Sequence, residues 1–230
     1  MNAPFLWIVF PLALSAVLLL LMRWEIAVFL AGTIAAAILA GLAWFLPLEQ
    51  QFSFGPLAFE FSDTWSILGR NFVLGAAQRP ALVVIYLAVA FWFAAGPIAR
   101  ANRNFVPLGL AITALLTATI AVEPFLYAAL LIETAVLVSI PMLVPIPQHA
   151  GRGVLRYLTY LTLGMPFILF AGWMLTDVDT GSGVPQLAVR SAILLGLGFS
   201  FLLGVVPFHT WIPMLWRRAT PLRWLLSCWS

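Results

Sequence analysis

The sequence predicts an all-α fold, a polytopic transmembrane helix bundle of about seven spans with its N-terminus outside and its C-terminus inside. Composition is the first observation behind this. Hydrophobic residues make up 63% of the chain and charged residues 8%, with a mean hydropathy of +1.07. A soluble domain carries about 25% charged residues, so this chain lacks the material for a water-facing surface. The second observation is a series of apolar runs of spanning length at 4–22, 25–47, 80–99, 105–122, 125–145, 154–175 and 187–206. The third is the alternation of charge between those runs.

The first run has the hydropathy of a signal peptide. No basic segment precedes it, and Arg23 and Glu25 follow it in place of a small-residue cleavage site, so it is expected to remain as a helix. Between the second and third runs lies a polar stretch, 48–79. Its first part, with Glu49, Gln50, Gln51, Glu60 and Asp63, reads as loop or short strand. Its second part, from Asp63 to Gln78, spaces Trp65, Ile67, Leu68, Phe72, Val73 and Leu74 as in a short amphipathic helix at the membrane interface, capped by Asp63 or Thr64. Arg79-Pro80 opens the third run, with proline in the permitted first turn.

Arg23, Arg100, Arg103, Arg152, Arg156, Arg217, Arg218 and Arg223 follow the odd-numbered runs. Glu49, Glu60, Asp63, Glu123, Asp177 and Asp179 follow the even ones, with Arg70 and Arg79 as exceptions. Basic residues in short loops stay on the inner side, which sets the orientation. Trp24, Trp44, Trp173 and Trp211, near run ends, fit an interfacial aromatic belt. The scattered arginines give no nucleic-acid signature, and Cys228, the only cysteine, can form no internal disulfide.

Few residues can do chemistry. Glu133 sits mid-run, where a carboxyl costs about 2.5–3.5 kcal/mol to insert. Two roles fit it, a proton-binding group or a protonated structural hydrogen-bonding partner. Glu123 is expected at the outer end of the same helix, roughly 15 Å of rise away, as the mouth of a proton path or as a solvated acid favoured by the helix dipole. Arg190, near the start of the last run, is expected to snorkel to the headgroups. His149 reads as a solvated loop residue. Pro141 and Pro166 fall inside runs and point to kinks or local breaks.

The last run closes with Pro207-Phe208-His209-Thr210-Trp211-Ile212-Pro213, whose prolines are expected to stop the helix and leave His209 at its broken end. That imidazole suits a proton relay or a structural pin equally well. No nucleotide loop, nucleophile elbow or paired metal-ligand motif occurs. Leu197-Gly198-Phe199-Ser200 lacks the glycine pattern of a nucleophilic serine, and the two histidines and one cysteine lie far apart in the chain. The chain alone is therefore expected to catalyse neither redox chemistry nor hydrolysis.

Glu133 in its helix, then Gly151-Arg152-Gly153-Val154-Leu155-Arg156-Tyr157-Leu158, then Gly196 through Pro221 form an ordered set of landmarks. With them the chain resembles the antiporter-like proton-channel subunits of respiratory complex I (NADH-quinone oxidoreductase). It is similar in the same way to their relatives in multisubunit cation:proton antiporters and membrane-bound hydrogenases. The resemblance carries the mid-membrane glutamate of the family onto Glu133 and its Pro-Phe-His-x-Trp-x-Pro motif onto Pro207, Phe208, His209, Trp211 and Pro213, with Ala219-Thr220-Pro221 as the later piece. It covers about 120–221; residues before 100 resemble the family in hydropathy alone.

What the resemblance implies is a membrane subunit contributing to proton translocation, in the inner (cytoplasmic) cell membrane, with other membrane subunits and the lipid bilayer as partners. Quinone and NADH, or another electron donor, are implied only for the larger complex; no cofactor and no metal is expected on this chain. The family's lysine, five residues before the motif, is replaced by Leu202, and the chain contains no lysine at all. A non-transporting scaffold subunit is the alternative this departure raises. On this reading 1–104 holds leading helices with an interfacial segment near 63–79, 105–221 part of an antiporter-like repeat, and 222–230 a truncated tail.

Overall fold

The computed structural model describes residues 2–45, 51–54, 57–60, 64–67, 69–99, 101–144, 151–177 and 185–214. Seven helices dominate them: α1 (Phe10–Leu20), continuing a π-helical turn Phe5–Val9, then α2 (Glu25–Phe45), α3 (Arg79–Ala95), α4 (Phe105–Ala121), α5 (Ala128–Leu143), α6 (Arg152–Asp177) and α7 (Pro185–Leu202). Each lies on one of the apolar runs. Three segments, Glu25–Phe45, Phe125–Leu143 and Arg152–Thr176, are long and apolar enough to cross a membrane. Large apolar side chains point outward, among them Ile26 (78% exposed), Phe91 (71%) and Ile98 (89%). Water would penalise such a surface and lipid would not.

The chain divides into two compact units, Met1–Met142 and Leu143–Ser230. In the first, α2 packs on α3 and α1 on α4, and α4 also touches α2 and α3. One buried cluster gathers Trp7, Leu39, Leu74, Leu82 and Tyr86; a second gathers Leu18, Phe29, Phe93, Val106 and Leu110. Several polar groups inside are satisfied, some across helices and some within one. The Tyr86 hydroxyl donates to the Trp7 carbonyl, and the Trp7 indole donates to the Leu39 carbonyl at 3.2 Å. Ser15 donates to the Pro107 carbonyl at 2.7 Å. Thr113 and Thr117 return their protons to Gly109 and Thr113, one turn back. In an apolar setting each unmade bond of this kind would cost several kcal/mol.

The stretch before α3 departs from expectation. Strands β1 (Gln51–Phe54) and β2 (Leu57–Glu60) form an antiparallel pair. In place of an amphipathic helix over 63–78, β3 (Thr64–Ile67) and β4 (Arg70–Val73) make a second antiparallel hairpin. Thr64 opens a strand and caps no helix, and Asp63 lies outside the described residues. The physical reason is local. Gly69, at φ 76°, supplies the two-residue loop and would weaken a helix. Trp65 and Phe72 face each other across the strands, with ring centroids 6.5 Å apart, and Phe5 meets Trp65 edge-on at 5.9 Å. A two-residue strand β5 (Val122–Glu123) then pairs with β4, Phe72 opposite Val122 and Asn71 opposite Glu123. Arg79 and Pro80 do open α3.

In the second unit α6 packs along α7. Gly164 and Gly198 set their separation. A Cβ on Gly198 would sit 2.6 Å from Cγ1 of Ile168 and 3.1 Å from the Gly164 carbonyl oxygen. Small residues at such a crossing let membrane helices approach backbone to backbone. Phe167 and Phe201 stack beside it at 5.7 Å. Helices α5 and α6 run through Pro141 and Pro166 unbroken, so neither proline ends its helix.

Candidate functional site

The acidic candidate belongs to the first unit. Glu133 is the ninth of the nineteen residues Phe125–Leu143, near the midpoint of that apolar segment. Ala128, Ala129, Ile132, Ala135 and Val136 form the buried face of α5. Glu133, half-buried, lies on the flank of that face, one residue past Ile132. Its neighbour Thr134 is exposed and returns its proton to the Leu130 carbonyl at 2.8 Å. The geometry keeps the carboxyl at mid-segment, with its Oε2 buried.

Glu123 is not on that helix. It is an exposed residue of β5, opposite Asn71, and Pro124 and the 3₁₀ turn Phe125–Tyr127 intervene before α5 begins. Pro124 takes φ/ψ of −73°/154°, extended backbone, so the helix cannot reach back to Glu123. The expectation of two acids on one continuous helix is therefore corrected; strand pairing with β4 claims Glu123.

The motif candidates belong to the second unit, where the helix end also differs from expectation. The prolines do not stop α7. Gly204 does, at φ 62°. Its N–H donates to the Phe201 carbonyl at 3.3 Å and the Val205 N–H to the Ser200 carbonyl at 3.0 Å. These are the paired closing bonds of a left-handed glycine cap. Pro207 comes three residues later, exposed, with the Phe208 N–H donating back to the Val205 carbonyl at 2.6 Å. The signal was present in the sequence: a glycine near the end of the apolar run, with a proline three residues on.

Phe208–Thr210 then form a single 3₁₀ turn. Rings anchor it to the helices below. Phe208 lies 3.9 Å from Phe201 and 6.0 Å from Tyr160, and Trp211 meets Tyr157 edge-on at 5.1 Å. The indole Nε1 of Trp211 and the hydroxyl of Thr210 are buried without a hydrogen-bond partner among the described residues. His209 points outward and is exposed, as is Pro213. Leu202, the last residue of α7, is half-buried. Motif aromatics thus hold the turn, and the imidazole is displayed from it. Ser200 donates to the Leu197 carbonyl at 2.6 Å and is occupied within its own helix.

The chain matches no family model, no curated protein and no solved structure. What can be assigned rests on this geometry. Among the described residues, no three of His, Cys, Asp and Glu come together as metal ligands. Arg190 is exposed on α7. His149, Ala219-Thr220-Pro221 and the tail 222–230 lie outside the described residues.

Two residues that broke the charge alternation have partners. Arg79 donates from Nε to the Ala43 carbonyl at 2.9 Å and from its guanidinium to the Trp44 carbonyl, closing the end of α2. The Arg70 guanidinium lies 3.4 Å over the Tyr127 ring. Both arginines are held by contacts within the first unit.

Proposed function

We propose that this chain is a multi-pass subunit of the cytoplasmic membrane, built of seven spans with the N-terminus outside, that contributes to proton translocation within a larger respiratory-type complex. The observation that carries the reading is Glu133 at the midpoint of an apolar helix, on the flank of its packed face. An acid at that depth is expensive, and such groups commonly serve ion or proton paths. The Pro-Phe-His-x-Trp-x-Pro landmarks support the same reading, with His209 displayed beyond the capped end of α7 as the relay. The test is proton pumping by the complex that contains this chain, reconstituted in vesicles. Glu133→Gln is expected to abolish pumping while the complex stays assembled; unchanged pumping overturns the reading.

Leu202, standing where the resembling family has lysine, favours a second reading, a scaffold subunit that seals and packs the complex. Under it, Glu133→Gln leaves pumping intact and weakens assembly. The same reconstitution separates the two.

A further inference from the structure

The first unit holds a groove of about 720 Å³ between the first half of α2 and the end of α3. That volume lies within the range of small-molecule sites, about 300–1,000 Å³. Its walls are apolar: Phe29, Leu30 and Ile34 from α2, Phe93 and Ala94 from α3, and Pro97 beyond it. The one hydroxyl in the wall, Thr33, is already committed to the Phe29 carbonyl at 2.8 Å. The interior side chains therefore offer no free hydrogen-bond donor to a polar ligand.

One end of the groove is charged. Glu25 lines it and also lines an adjoining hollow with Arg23 and Trp24. Arg103 is ion-paired to Glu25, so the acid is neutralised. Arg23 is exposed and makes no ion pair among the described residues. The rim is thus net positive and carries a tryptophan that is 70% exposed. From Glu25 to Ile34 the groove follows ten residues of α2, a rise of about 13 Å. Half the hydrocarbon core of a bilayer is about 15 Å.

We infer that this groove is a binding site for an anionic phospholipid, its phosphate at Arg23 and one acyl chain lying along α2 against Phe29, Phe93 and Ala94. The three properties match that ligand together. The groove's length comes close to that of one leaflet, the positive charge stands at one end only, and an exposed indole sits beside that charge, as tryptophan favours at headgroup level. The inference rests on the end of α2 lying at a membrane surface, which is part of the reading above.

Native mass spectrometry of the purified full chain in detergent tests it, with dioleoylphosphatidylglycerol and dioleoylphosphatidylcholine as the titrated probes. Phosphatidylglycerol is expected to bind about fivefold more tightly, the effect of one basic residue near a headgroup. Arg23→Gln is expected to erase the preference and leave the weaker binding. Ala94→Phe, on an exposed position of the groove wall, is expected to release both lipids. Equal affinity for the two lipids, a preference that survives Arg23→Gln, or retention of both lipids by Ala94→Phe overturns the site. Alkaline extraction of cell membranes is run alongside. A chain that washes off sinks the membrane reading itself, whereas a chain that stays embedded yet shows no lipid preference sinks the groove assignment alone.

Discussion

Arg79, the first residue of α3, donates from Nε to the carbonyl oxygen of Ala43, two residues before the end of α2. The last carbonyls of any helix lack partners within it. A guanidinium brought from the neighbouring helix satisfies two of them at once, Ala43 and Trp44, and adds a favourable charge at the negative end of the α2 dipole. Arg79→Gln is expected to destabilise the first unit by about 2 kcal/mol, the usual worth of hydrogen bonds to a charged donor. Titration with a denaturing detergent, followed by circular dichroism, reads the loss. An unchanged midpoint would show that water or lipid headgroups replace the arginine.

The α6–α7 crossing makes a sharper comparison. Gly198→Ala places a methyl 2.6 Å from Ile168 and is expected to cost about 1–3 kcal/mol through overpacking. Gly196→Ala, two residues earlier on the same helix, meets nothing within 4 Å. It is expected to be neutral or to stabilise by up to about 1 kcal/mol through helix propensity. Thermal unfolding of the two variants side by side checks the ordering.

The Arg70–Tyr127 contact is a cation over an aromatic face at 3.4 Å. A double-mutant cycle with Arg70→Gln and Tyr127→Leu is expected to give a coupling of about 0.5–2 kcal/mol. No coupling would mean that the hairpin is held by Trp65, Phe72 and the β4–β5 bonds alone.

The seven-span orientation makes a direct prediction. Asn71 in the hairpin and Arg103 before α4 are both exposed and are expected on opposite faces of the membrane. In a Cys228→Ser background, a membrane-impermeant maleimide added to intact cells is expected to label Asn71→Cys and spare Arg103→Cys. Labelling of both, or of the second only, overturns the topology.

Helix placement was legible because apolar runs of spanning length leave the backbone one way to satisfy itself. The expected run 105–122 and the observed Phe105–Ala121 differ by one residue at one end. The hairpin at Thr64–Val73 was not legible. Trp65, Ile67, Phe72 and Val73 lie on a spacing that a helix face and a pair of short strands can both accept. The choice is made by Gly69 at its positive φ and by the Trp65–Phe72 cross-strand pair, and β5, some fifty residues further along the chain, adds a third strand. Around the candidate residues, the backbone was legible at one position and misread at two. Glu133 falls mid-helix as its flanks require. Glu123 was assigned to the helix of Glu133 and the end of α7 to its prolines, while a strand pairing and Gly204 decide them.

Because Gly204 ends α7 with bonds internal to its own last turn, the segment that follows owes its position to other contacts. Phe208 leans on Phe201 of α7 and on Tyr160 of α6, and Trp211 leans on Tyr157 of α6. The turn is thus seated on two helices at once, and its histidine stands beyond both supports. The spacing of α6 and α7, fixed at the Gly164–Gly198 crossing, therefore also fixes where His209 is displayed.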